Sequence, residues 1–169
     1  MTMNVHVARS HATMAGSLSS CAKSKRGAVI FSPYHEHVIA AGYNSPPDGF
    51  LCDGSDACRA SCGKVAVHAE QAALLNCITL RRPSADMEML HTKVERVGGE
   101  WVSVRGGPPS CAACSKLIVA ANISHMWLIE DRDGVATPVR YTAAEFHQLT
   151  LANCGLHSGM VLPRSGGAI

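Results

Sequence analysis

No run of eighteen apolar residues occurs anywhere in this chain, and no long apolar stretch opens it. A membrane-spanning helix and a secretory leader are therefore both unsupported, and a cytoplasmic location is expected. Aromatic side chains are scarce, with 3 Phe, 3 Tyr and 2 Trp among 169 residues. That is thin material for the stacking surface that single-stranded nucleic acid requires. Charge of one sign is never concentrated: 15 Lys and Arg are interspersed with 13 Asp and Glu, for a formal charge of +2. Membranes and extended nucleic acids are thus not the expected partners, whereas a small phosphorylated ligand would suit the slight cationic excess. What is present is 47 % hydrophobic residues, enough for a proper core in one domain spanning residues 1–169. Eight cysteines without a leader point to metal ligands in a reducing compartment, not to disulfides.

Two stretches carry chemistry: Val67-His68-Ala69-Glu70-Gln71 and, further on, Pro108-Pro109-Ser110-Cys111-Ala112-Ala113-Cys114. His68 offers an imidazole nitrogen, and Cys111 and Cys114 offer thiolates. Three protein ligands leave a tetrahedral Zn²⁺ one open position for water. Glu70 is the carboxylate left over, placed to take a proton from that water and pass it to a leaving nitrogen. Each half has a plainer reading. A Cys-x-x-Cys alone could be a redox dithiol, a lone histidine at a helix start could be a cap, and a closed structural zinc would use the same ligands. Glu70 weighs against the closed site, which has no use for a carboxylate. The joint His-x-Glu and Cys-x-x-Cys pattern resembles the zinc nucleobase deaminases.

Residues 69–80 are rich in Ala and Leu and read as a buried helix with His68 and Glu70 at its first turn. Ser110 is the expected N-cap of a second helix, with Cys111 and Cys114 on one face. Two converging helix N-termini would favour thiolate over thiol. Residues 5–21 show an imperfect helical pattern, and Gly27-Ala28-Val29-Ile30-Phe31 reads as a strand hairpinned to residues 38–43. Residues 81–100 carry a poor signal, and residues 101–104 make a better strand. The cysteine helix should end at Asn122, a strand follows over 123–129, and residues 142–154 form another helix before a short strand near 160–162. A helix between the last two strands implies that they run parallel. The expected fold is a three-layer α-β-α domain with a mixed sheet of about five strands and a disordered tail at 163–169.

Gly42-Tyr43-Asn44-Ser45-Pro46-Pro47-Asp48-Gly49 lies after Gly27-Ala28-Val29-Ile30 and before His68-Ala69-Glu70-Gln71. This order resembles the deoxycytidylate (dCMP) deaminases of the cytidine deaminase superfamily. The resemblance implies hydrolysis of dCMP to dUMP, supplying precursor for dTMP. It also implies that the Ala69 backbone N–H binds the base carbonyl, the Ser110 carbonyl accepts from the base amino group, and Asn44 meets the sugar 3′-hydroxyl. Relatives usually have proline where this chain has Ser110, and often an aromatic residue where it has Arg132. Lys23, Lys25, Arg26 and Arg132 are the cations left to meet a phosphate. A homo-oligomer, hexameric in many relatives, and dCTP and dTTP effectors, with Mg²⁺ accompanying a nucleotide effector, are further implications of the resemblance.

Cys52, Cys58 and Cys62 crowd into a short polar loop, with Cys58 and Cys62 at structural-zinc spacing. Cys21 is the expected fourth ligand of a second zinc, and unmetallated thiols are the alternative. Some phage members of the dCMP branch resemble this, with a second zinc held at like positions. Cys77 and Cys154 read as small buried hydrophobes. Two rival functions share these features. Another superfamily deaminase, acting on tRNA adenosine, a nucleobase or single-stranded DNA, would keep every zinc residue, while a non-catalytic zinc module would not need Glu70.

Overall fold

A computed structural model describes residues 4–35, 37–80 and 86–156. Helix α1, Val5–Ser17, starts at Asn4, whose side chain accepts from the His6 N–H at 2.8 Å. Its buried face is built from Ala8, Ala12, Ala15 and Gly16, small enough for the helix to lie directly on the sheet. Strand β1, Lys25–Phe31, answers with Gly27, where an added Cβ would stand 1.9 Å from the Ala12 carbonyl oxygen. Side chains alternate along β1. Val29 and Phe31 pack with Ala8, Ala12 and Leu90 on the α1 side, while Ala28 and Ile30 join the larger core on the other.

After β2, Val38–Tyr43, come α2, Asp56–Val65, and α3, Ala69–Thr79. Strands β3, Glu88–Val97, and β4, Glu100–Val104, precede α4, Ala112–Ala120. Strands β5, His125–Arg132, and β6, Val135–Thr142, lead into α5, Ala143–Asn153. The strand order is β2-β1-β3-β5-β6, with β4 continuing alongside the second half of β3. Among the described strands only the β3–β5 pair is parallel, as a crossover through α4 requires. Leu74 of α3, Ile118 of α4 and Phe146 of α5 share one core with Ala28, Met89 and Met126. The result is α1, a mixed sheet, and α3, α4 and α5 as three layers.

The α/β three-layer expectation holds, and the sheet contains one strand, β6, that was not expected. β5 and β6 are antiparallel, joined by Asp133-Gly134 with φ of 55° and 79°. That two-residue turn needs left-handed backbone at both positions, which Asp-Gly supplies. Pro138 lies within β6, and proline is tolerated there because β6 is an edge strand among the described residues. The described sheet accordingly has six strands. The strand expected near 160–162 and the tail at 163–169 lie outside the described residues. The poorly signalled stretch contains β3, the central strand, whose hairpin to β4 turns on Gly98 and Gly99. Cys77 is buried as expected, but Cys154 caps α5 and is exposed. No described helix is long and apolar enough to cross a membrane.

Candidate metal centre and active site

His68 is the N-cap of α3, and its backbone N–H donates to the Gln71 side chain at 2.9 Å. The approach to it is fixed by a reciprocal bridge between Val67 and Ser45. Its ring is oriented by Nε2, 3.1 Å from the Gly63 carbonyl near the end of α2. A carbonyl can only accept, so the proton sits on Nε2 and the Nδ1 lone pair is free to bind metal. Nδ1 lies 3.4 Å from Cys111 Sγ and 3.3 Å from Cys114 Sγ. Tetrahedral Zn²⁺, with bonds of about 2.3 Å to sulfur and 2.0–2.1 Å to nitrogen, would set these atoms roughly 3.6 Å apart. The three ligand atoms fall within 4.8 Å of one another, the one such group among the described residues. The donor set fits zinc.

Cys111, not Ser110, is the N-cap of α4, its sulfur accepting from the Cys114 N–H at 3.3 Å. The thiol takes the capping role because it must face the metal position, and Ser110 is thereby freed for another task. A hydrogen bond from Cys114 lowers the Cys111 thiol to about 4, while the same bond and burial raise Cys114. One thiolate is thus ready, held by its neighbour's proton. His68 is raised, chiefly by its hydrogen bond to Cys111.

Glu70, 3 % exposed, sits in the first turn of α3. Ser110 Oγ donates to its Oε1 at 2.8 Å, and His91 Nδ1 lies 3.9 Å from the same oxygen. Burial pushes the carboxyl up, yet His91, its own backbone N–H and Ser110 outweigh burial and hold it below the usual value. A buried base that is ionised at neutral pH results. A cavity of about 240 Å³ opens over these groups, lined by His68, Glu70, His91, Ser110 and Cys111 together with Lys23, Arg26 and Asn44.

The remaining expected contacts are unevenly placed. Asn44 lines the cavity, but its amide already accepts from the Arg26 N–H at 2.7 Å and donates to the Ser24 carbonyl at 2.8 Å. Ala69 is fully buried at the start of α3. Of the four cations, Lys23 and Arg26 line the cavity, the Lys23 ammonium donating to the Arg59 carbonyl at 2.9 Å. Lys25 is turned to the Ser19 carbonyl and the Trp101 ring, and Arg132 pairs with Glu130 at 3.8 Å. Cys21, Cys52, Cys58 and Cys62 line one apolar cavity of about 380 Å³ with Phe50 and Leu51. They meet as two pairs, Cys21 with Cys62 at 3.4 Å and Cys52 with Cys58 at 3.5 Å. Sequence reasoning missed Gly63, His91 and the Ser110 hydroxyl. Gly63 adjoins the Cys58 and Cys62 pair and Ser110 the Cys-x-x-Cys motif, while His91 adjoins neither.

No protein-family model matches the chain, and no curated protein does. Solved structures do. The apo dCMP deaminase from the cyanophage S-TIM5 aligns over 88 % of this chain and 95 % of its own, at 21 % identity and a TM-score of 0.56. A cytidine deaminase from Burkholderia pseudomallei aligns over 85 % of this chain and 96 % of its own, at 14 % identity and a TM-score of 0.58. At these identities the likeness is one of fold, and the chain has the cytidine-deaminase-like fold.

Proposed function

We propose that this single domain is a zinc-dependent hydrolytic deaminase that converts dCMP to dUMP. The observation that carries the reading is a buried, ionised carboxylate, Glu70, sharing one cavity with a three-ligand metal site. His68 through Nδ1, together with Cys111 and Cys114, would hold Zn²⁺, which when bound lowers the pKa of a water in its open position towards about 7.

Glu70 then takes the proton from the attacking water and delivers it to ring N3. The water oxygen bonds to C4 in that step, and Glu70 then carries the remaining proton of that oxygen to the amino group, which departs as ammonia as the C4–N bond breaks and the C4 carbonyl forms. Ser110 fixes the carboxylate for both transfers. The Ala69 N–H and the Ser110 carbonyl are assigned to the base, and the second amide hydrogen of Asn44 to the sugar. The cyanophage protein named for dCMP supports the monophosphate, as do Arg26 and Lys23 in the lining of the same cavity. The resemblance of the sequence motifs to the dCMP deaminases extends the proposal to a second zinc on Cys21, Cys52, Cys58 and Cys62, to a hexamer, and to dCTP and dTTP effectors with Mg²⁺.

Steady-state kinetics on dCMP, deoxycytidine, cytidine, dCTP, guanine and an RNA hairpin test the assignment. The dCMP and deoxycytidine reactions are repeated with dCTP or dTTP added. The expected result is the highest kcat/KM on dCMP, with its curve moved by the triphosphates. Equal kcat/KM for dCMP and deoxycytidine would reject the monophosphate, and an unmoved curve would remove the regulation.

A further inference from the structure

His91 Nε2 is the one buried side-chain polar atom without a hydrogen-bond partner among the described residues. The residue is 4 % exposed and stands on β3 between Ala28 of β1 and Leu128 of β5, so the sheet holds its backbone in place on both sides. Its other nitrogen, Nδ1, faces Oε1 of Glu70 at 3.9 Å. The ring also forms part of the wall between two cavities. One is the cavity over the metal ligands. The other, of about 350 Å³, is lined by Arg105, Glu130 and Tyr141 among others.

The state of the ring follows from its surroundings. Burial lowers its pKa, against the pull of Glu70 and with the help of Arg26, so it is neutral. A neutral imidazole carries one proton, and beside a carboxylate that proton belongs on Nδ1. Nε2 is then a bare lone pair, buried at the edge of the site, with no donor supplied by the protein. Buried acceptors are ordinarily satisfied, and where the fold does not supply the donor a ligand can.

We propose that His91 is a substrate-contacting residue whose Nε2 accepts a hydrogen bond from an N–H or O–H of the ligand bound over the metal centre. The inference rests on the deaminase reading above. A cytosine deoxynucleotide offers two such donors, the amino group at C4 and the sugar 3′-hydroxyl. Proximity to Glu70, which serves the amino group, favours the first.

The test compares zinc-loaded wild type, His91→Phe and His91→Gln on three substrates. These are dCMP, its 4-methoxy analogue with no N–H on the leaving group, and 2′,3′-dideoxycytidine monophosphate with no sugar hydroxyl. His91→Phe should keep its zinc and lose about tenfold or more in kcat/KM on dCMP. His91→Gln, which retains an acceptor, should recover part of that loss. The loss should shrink to about twofold on whichever analogue lacks the donor, since the contact is then already gone. An equal loss on all three substrates would make the role structural, and no loss on dCMP would remove it. Either result overturns the inference. If His91→Phe does not fold, ¹⁵N-histidine spectra of Glu70→Gln protein, free and saturated with dCMP, decide the matter. A shifted Nε2 resonance of His91 supports the contact and an unmoved one overturns it. Wild-type protein that turns over none of the three substrates would instead overturn the deaminase reading, and the inference with it.

Discussion

The hydroxyl of Ser110 donates to Oε1 of Glu70 at 2.8 Å, tying the segment before α4 to the first turn of α3. The two helices that bring His68, Cys111 and Cys114 together are therefore also joined through the carboxylate proposed as the base. Ser110→Ala should cost about 1.5–3 kcal/mol of stability, the range for a hydrogen bond to a charged group. Urea unfolding at neutral pH measures it.

The same substitution has a pH signature. Glu70 is depressed below its unfolded value of 4.5, so its contribution to stability is present above that value and lost as pH falls through the folded pKa. Removing Ser110 raises the folded pKa towards the unfolded one. The acid limb of kcat, which needs the carboxylate, should move to higher pH in Ser110→Ala. A limb that stays in place would show that another group sets it.

Gly42 of β2 lies against α3, where an added Cβ would stand 2.3 Å from the Ala73 nitrogen and 2.6 Å from the Ala69 carbonyl oxygen. Backbone cannot yield as a side chain does. Gly42→Ala should cost about 1–3 kcal/mol or more by overpacking. Because it displaces the turn carrying His68 and Glu70, zinc affinity should fall together with stability. Thermal unfolding and chelator competition read the two effects, and unchanged affinity would mean that the helix absorbs the shift.

With four cysteines as a second site, fresh unchelated protein should carry two zinc ions per chain and Cys58→Ser one. Structural zinc contributes directly to folding, so the variant should also melt lower. Helix α2 bears Cys58 and Cys62 and also Gly63, whose carbonyl holds His68 Nε2. Cys58→Ser should for that reason weaken the first site as well, by about 10–100-fold, as is usual when a ligand's supporting hydrogen bond is disturbed. One zinc per chain by elemental analysis of the wild type would remove the second site.

The grouping of His68, Cys111 and Cys114 near Glu70 was legible because metal chemistry demands particular residue types at helix-compatible spacing. Helix α5 was legible for a similar local reason: Thr142 and Glu145 form a reciprocal cap and Gly155 stops the helix at positive φ. His91 was not legible, since a histidine in a strand carries no local sign of what lies across the sheet. Asn44 was read as a sugar contact, and the structure shows its amide first locking the backbone at Ser24 and Arg26. Nor could the sheet order be read. Whether β3 pairs in parallel with β5 is decided by the α4 crossover and the buried Met89 and Met126, which lie far apart in the chain. The Asp133-Gly134 turn was the exception, a hairpin signal present in the sequence and passed over.

The most direct measurement is the release of ammonia and dUMP from dCMP by zinc-loaded wild type and Glu70→Gln side by side, with zinc content determined on the same samples. Glu70→Gln keeps the size of the side chain and removes only its ability to carry a proton. The predicted result is turnover by the wild type and a loss of roughly a hundredfold or more in the variant at unchanged zinc content. Near-normal turnover by Glu70→Gln, or no turnover of dCMP by fully metallated wild type, would contradict it.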